Sequence, residues 1–343
     1  MCCASAQNLV RLDAVATNSK GEPVTDLQAA DVNVREDGKL RNVLFLRRSG
    51  VGAPAEVLAA GQYGNRAQPG PTLILLDRWN ERILTAATAW IDLTTALQHM
   101  ESVSRIYIYI LTARGDLYPV RPLPDPDADL RQPPDPSPTQ LAAALDTAIK
   151  KLQGFRDIDA QDPVLRANVT FQALNALGQR LANMSGRKNL IWVTHGVPLT
   201  IELPGSDWLD MTPQIRDLST RAAQSQIAIY SVDQSAQAAG ADPSSLSRAT
   251  LEKFSGYTGG RWYPSGNTDR AVADALADAR GVYSIVYEGT ERKRDKKDHK
   301  IRLESTRKDV RLLTRDSDRG QAPDTDPDAA EQVALRAACH SPF

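Results

Sequence analysis

The sequence predicts an α/β chain: a doubly wound, mostly parallel sheet over residues 71–281, inserted between N- and C-terminal β segments that form a small β-sandwich. Three observations carry this reading. Pro71-Thr-Leu-Ile-Leu-Leu-Asp77 is a short apolar run closed by an acid and preceded by turn residues, which suits a strand covered on both faces. The pattern recurs in Asn189-Leu-Ile-Trp-Val-Thr-His195-Gly196 and in Gln226-Ile-Ala-Ile-Tyr-Ser-Val-Asp233. Helical stretches of about 10–15 residues alternate with these runs, and that alternation implies a parallel sheet with helices on both sides.

The elements follow in order. Val10–Thr17 alternates with period two and ends at the turn cluster Asn18-Ser-Lys-Gly21. Val32-Asn-Val-Arg-Glu36 runs into Asp37-Gly38, a two-residue hairpin signal, from which Val43-Leu-Phe-Leu46 is expected to return. Residues 9–48 make the first part of the sandwich and have too little area to be stable alone. Residues 49–70, rich in Gly, Ala and Pro, read as a linker.

From Pro71 the period changes. The strand Leu73–Leu76 leads to a helix over about 84–99, then to the strand Arg105–Leu111 and the turn Ala113-Arg-Gly-Asp116. A turn that tight makes Leu117–Leu123 an antiparallel edge. Eight of the 21 prolines fall between Pro119 and Pro138, which marks an irregular loop. Helices are expected over about 138–152 and 169–184, a strand over 189–194, a loop, and a helix over about 213–225. The strand 226–232, a helix over 244–256, a short strand at 260–263 and a helix over 269–280 close the alternation. Val282–Glu288, His299–Ser305 and Val310–Thr314 return to period two and complete the sandwich over 282–317. Residues 318–343 read as a disordered tail with a short helix near 329–338.

A net charge of −1 gives no pull toward nucleic acid or membrane. No apolar run reaches the roughly 20 residues needed to span a bilayer. The three cysteines, Cys2, Cys3 and Cys339, sit at the ends and suggest neither a staple nor a metal site. Ala4-Ser5-Ala6 before Gln7 is similar to a signal-peptidase site. Residues 1–8 then read as the remnant of a signal peptide on a secreted or periplasmic product, against a plain cytoplasmic start.

Other constellations reduce to ordinary structure. Arg114-Gly115-Asp116 reads as a hairpin tip. Asp125-x-Asp127-x-Asp129 starts like a calcium loop but has Leu130 and Pro136 at the Gly and Glu positions; Asp324-x-Asp326-x-Asp328 fails alike, with Ala329 and Leu335. The basic run Arg292–Lys300 carries two interleaved acids and no aromatic residue to stack bases, so it reads as a solvated loop. There is no phosphate-binding Gly loop and no Gly-x-Ser-x-Gly elbow.

Five segments in order resemble one family. Asn18-Ser-Lys-Gly-Glu-Pro-Val-Thr-Asp-Leu27, Asp31-Val-Asn-Val-Arg-Glu-Asp-Gly-Lys39, Gly186-Arg-Lys-Asn-Leu-Ile-Trp-Val193, Thr258-Gly-Gly-Arg261 and Tyr283-Ser-Ile-Val-Tyr287 look like a von Willebrand factor A (VWA) domain protein. More narrowly, they resemble the bacterial, acidobacterial-type "VWFA-related" group, over residues 9–316. The resemblance implies a Rossmann-type domain with a divalent cation at the upper edge of the sheet. Its ligands are Asp-x-Ser-x-Ser after the first strand, a Thr before the third helix and an Asp after the fourth strand. Magnesium at such a site wants oxygen ligands in near-octahedral geometry.

Carried over, Asp77 matches, Trp79 and Glu81 stand where the two Ser belong, Asn168 stands near the Thr with Thr170 close by, and His195 replaces the second Asp. The implied adhesion site is degenerate: Asp77 and Glu81 are the metal candidates, and no tight Mg²⁺ site and no other cofactor is expected. The expected ligand-binding face is Asp77, Asn80, Asn168, Thr170 and His195. The resemblance implies a non-catalytic, exported module whose partner is a protein or a cell-surface polymer, with no nucleic acid and no membrane span. The alternative is a hydrolase-like enzyme using Asp77, His195 and Asp233 as acid–base groups at the strand ends. A third reading is a structural envelope component without a small ligand.

Overall fold

The computed structural model describes residues 9–50, 70–80, 86–124, 134–152, 162–205, 207–234, 246–264, 266–290 and 297–319. Residues 1–8, most of the linker and tail, both calcium-loop-like runs and Glu81 lie outside them. The chain forms β1 (Leu9–Asn18), β2 (Val32–Glu36), β3 (Lys39–Arg41), β4 (Val43–Arg48), β5 (Thr72–Asp77), α1 (Ala86–Gln98), β6 (Ile106–Leu111), β7 (Leu117–Arg121), α2 (Pro138–Leu152), α3 (Pro163–Ala182) and β8 (Lys188–Thr194). These are followed by β9 (Thr200–Glu202), β10 (Trp208–Asp210), α4 (Thr212–Gln224), β11 (Ile227–Asp233), α5 (Leu246–Thr258), β12 (Trp262–Tyr263), α6 (Thr268–Asp278), β13 (Val282–Glu288), β14 (Asp298–Ser305), β15 (Val310–Leu313) and β16 (Ser317–Arg319). Two compact units result: Gly70–Ala279, and Met1–Pro69 with Arg280–Phe343.

In the first unit a six-stranded sheet has the order β12-β11-β8-β5-β6-β7. Neighbours from β12 to β6 are parallel, and β7 is the antiparallel edge against β6. Pro119 is tolerated in β7 because an edge strand leaves one row of N–H positions unpaired. Strand alternation then divides the core in two. Leu73 and Leu75 of β5 join the cluster built with α3, α4 and α5, while Ile74 and Leu76 join the cluster built with α1, α2 and α6. A strand with both faces covered favours apolar side chains along its length, hence the apolar runs Leu73–Leu76 and Leu190–Val193.

Local sequence sets the helix starts. Ser137 and Gln140 form a reciprocal capping box ahead of α2, with the Gln140 N–H on Ser137 Oγ at 3.2 Å and the Ser137 N–H on Gln140 Oε1 at 2.8 Å. Asp162 accepts the Val164 N–H at 2.8 Å to cap α3, and Pro163 takes the first helical position. Gly260, just before β12, is obligatory: a Cβ there would stand 1.9 Å from the carbonyl oxygen of Ile229. The order β8-β5 at the centre, with β6 on one side and β11 on the other, puts the topological switch point between the carboxyl ends of β5 and β8.

The second unit contains two four-stranded antiparallel sheets, β15-β1-β13-β4 and β16-β14-β2-β3. Strands from both chain ends interleave in each sheet, with Leu12 opposite Ile285 and Val34 opposite Leu303. Leu12, Ala14, Val34, Tyr283, Ile285, Tyr287 and Ile301 share one core. Glu36 is fully buried and accepts the Thr290 N–H and hydroxyl at 2.7 and 2.5 Å, with Arg41 at 3.1 Å. The Asp37-Gly38 turn, with φ of 50° and 80°, joins β2 to the short β3. The expected return strand at 43–46 instead crosses to the other sheet and pairs with β13, Leu46 opposite Ile285. There Val43 and Leu46 pack on the shared core.

Candidate functional site

The carboxyl ends of β5 and β8 place Asp77 and Thr194 side by side, because Leu76 is in register with Val193. Trp192 and Thr194 are two residues apart on β8 and share a face. Both reach Asp77 Oδ2, the Trp192 indole N–H at 3.1 Å and the Thr194 hydroxyl at 2.7 Å. After β5 the chain turns tightly, so that the Asn80 backbone N–H meets Asp77 Oδ1 at 3.1 Å and its Nδ2 meets Oδ2 at 2.7 Å. Asn80 Nδ2 also donates to Thr170 Oγ1 at 2.7 Å, and Thr170 donates on to the carbonyl of Arg166 at 2.8 Å.

The turn is stapled to α3 from both sides. The Trp79 indole donates to the Arg166 carbonyl at 3.2 Å, and the Arg166 guanidinium donates to the Asn80 carbonyl at 3.1 Å. This knot is interior: Asp77, Asn80, Thr170 and Thr194 are at most 4% exposed. Burial pushes the Asp77 carboxyl above its ordinary value, opposed by the hydrogen bonds from Asn80, Thr194 and Trp192.

A hard divalent cation does not fit these residues. Oδ2 of Asp77 already receives three donors, whose hydrogens occupy the directions from which a cation would approach. Trp79 offers no oxygen and lies in the hydrophobic core. Among the described residues no group of three or more His, Cys, Asp or Glu side chains could hold a metal ion.

The expected face divides accordingly. Asp77, Asn80 and Thr170 are joined by direct hydrogen bonds, but inside the molecule rather than on display. Asn168 is exposed and outside the knot: two residues along a helix is a rotation of about 200°, which turns it away from the side that carries Thr170. The β8 contribution comes from Thr194, while the adjacent His195 is buried beyond the strand end. Asp233 ends β11 in register with Thr194 and is buried as well. An acid–base role for Asp77 would require it to give up donors that now surround Oδ2.

The solvent side of this edge is built by other segments. The turn at Arg114-Gly115-Asp116 exposes the Arg and Asp, and Gly115, with φ of 84°, lies where a Cβ would touch Val169 at 3.0 Å and Trp79 at 3.9 Å. Leu165 on the first turn of α3 is 44% exposed. After β8, where the sequence reads as a loop, the β9–β10 hairpin buries Ile201 in the core shared by Trp79 and α3, and holds Trp208 61% exposed. Its sequence signal is the turn pair Pro204-Gly205, with Gly205 at φ 97°. No helix among the described residues is long and apolar enough to cross a membrane. No family model matches the sequence, and no curated protein matches it either.

Proposed function

We propose that the chain is a non-catalytic binding module of the VWA type, exported from the cell, that engages a protein or a cell-surface polymer at the carboxyl edge of its parallel sheet. The observation that carries this is Trp208, the most exposed large apolar side chain among the described residues, held out on a hairpin whose base is anchored in the core. A rigid aromatic group on a fixed support loses little entropy on binding, and Trp is enriched among the residues that dominate binding energy. Leu165 adds apolar area, and Asn168, Arg114 and Asp116 supply polar groups of the kind that rim such a surface.

The family reading is supported by the five ordered sequence segments and is compatible with a mostly parallel sheet covered by helices on both faces. In the family an ion completes its shell with an acid from the partner. Here the knot around Asp77 supports recognition that runs without one. Immobilised protein should capture a component of cell-envelope extract equally in EDTA and in Mg²⁺, and Trp208→Ala should reduce that capture at least tenfold, about 1.4 kcal/mol. Capture that EDTA abolishes and Trp208→Ala leaves unchanged would refute the proposal.

A further inference from the structure

We propose that the Asn80 carboxamide stands in the place of a divalent cation, closing with one side chain a latent metal site made by Asp77, Thr170 and Thr194. A single NH₂ group lies 2.7 Å from Asp77 Oδ2 and 2.7 Å from Thr170 Oγ1, tying the end of β5 to α3. Bridging a carboxylate and a hydroxyl from separate elements is what a hard cation does with oxygen ligands. The amide does it with two N–H dipoles. Thr194 Oγ1 lies 2.7 Å from the same carboxylate oxygen, on the neighbouring strand β8.

A second observation is independent of those distances. The Asn80 carbonyl Oδ1 is buried and has no hydrogen-bond partner. A buried acceptor left unmade is destabilising. The side chain therefore acts here through its nitrogen, with its oxygen left stranded. That orphan oxygen becomes a ligand atom once the nitrogen beside it is replaced by oxygen, because Asp has the shape of Asn. The knot that excludes metal from this site is thus one atom away from accepting it. The inference concerns what holds the edge together, and it stands or falls apart from any partner.

The test uses the full chain and the metal alone. Wild type should show no Mn²⁺ binding by loss of the free-ion EPR signal at millimolar metal, and no shift in melting temperature between EDTA and Mg²⁺. Asn80→Asp sets two carboxylates against each other and should melt lower in EDTA. At a Mg²⁺ concentration about 100 times its Kd, the variant should gain about 5–10 °C. It should bind Mn²⁺ one to one, and a further Asp77→Ala should abolish both responses. Asn80→Ser removes the amide without adding a charge and should also gain Mn²⁺ binding. The proposal is overturned if wild type binds Mn²⁺ in an Asp77-dependent way. It is equally overturned if neither variant, folded or refolding on addition of metal, responds to Mn²⁺ or Mg²⁺.

Discussion

Replacing Asp77 by Ala removes an acceptor on which four donors converge: the Asn80 N–H, Asn80 Nδ2, the Thr194 hydroxyl and the Trp192 indole. Not all four are stranded. The Thr194 hydroxyl can rotate, and Asn80 Nδ2 keeps Thr170. The Trp192 N–H and the Asn80 backbone N–H have no such recourse. Two buried donors left unmade cost about 1–3 kcal/mol each, so about 2–6 kcal/mol together. Loss of a buried charge offsets part of this, since burial disfavours the ionised Asp77. A net loss of about 3–4 kcal/mol follows, or about 6–16 °C in the melting temperature of a unit this size.

Asp77→Asn keeps the shape and one oxygen for the donors on Oδ2, but turns an NH₂ toward the Asn80 N–H. It should cost about 1–2 kcal/mol, less than the Ala variant. The linkage has a definite sign. A raised carboxyl binds its proton more tightly in the folded state, so the stability from this group is greatest in acid. It falls as pH rises past the unfolded value of about 3.9. The advantage of wild type over Asp77→Asn should therefore narrow above about pH 4. All five tryptophans lie between Trp79 and Trp262, so tryptophan fluorescence in a urea titration reports on the α/β unit alone. An Ala variant within about 1 kcal/mol of wild type, or one more stable than the Asn variant, would refute the reasoning.

Two further outcomes can be checked by the same methods. Asp278 is buried and accepts from the Tyr230 hydroxyl at 2.8 Å and from Arg261 at 2.9 and 2.8 Å; Asp278→Ala should cost about 3–5 kcal/mol in urea, and a loss below about 1 kcal/mol would count against it. In the sandwich, burial works against ionised Asp37, yet the His299 ring at 2.8 Å and the Lys300 N–H hold its carboxyl below the ordinary range. That stability is present above the unfolded value of about 3.9 and is lost as pH falls through the folded one, so Asp37→Asn, which Asn can adopt at φ 50°, should flatten acid unfolding between about pH 4 and 2. Identical acid profiles for the two proteins would defeat it.

The parallel sheet was legible because its strands are buried on both faces, and such strands cannot hide among ordinary amphipathic sequence. Leu73–Leu76 and Leu190–Val193 announce themselves as unbroken apolar runs. The antiparallel edge at β7 was legible from chain length alone, since the short connection between Leu111 and Leu117 cannot carry a crossover. The sheet change at Asn42 was not. Val43-Leu-Phe-Leu46 suits either sheet by its pattern, and only three-dimensional packing decides which sheet carries its apolar side to the shared core. The β9–β10 hairpin escaped because three-residue strands are too short for a period to register.

At the site, chain position proved a poorer guide than phase. Counting along a motif selects Asn168, with Thr170 close by, and His195, yet the hydroxyls that touch Asp77 or Asn80 are those of Thr170 and Thr194. Both shifts obey the geometry of the element involved. Trp192 and Thr194 must point the same way on a strand, so once either faces Asp77 the other does, and His195 cannot belong to that row. Thr170 lies four residues after Arg166 and returns its hydroxyl to that carbonyl, while Arg166 itself holds the Asn80 carbonyl. A polar residue that folds into a buried knot has to satisfy several partners at once. The phase of its helix or strand fixes whether it can reach them, whereas a match by spacing to a motif ignores that constraint wherever the loops between the ligands change length.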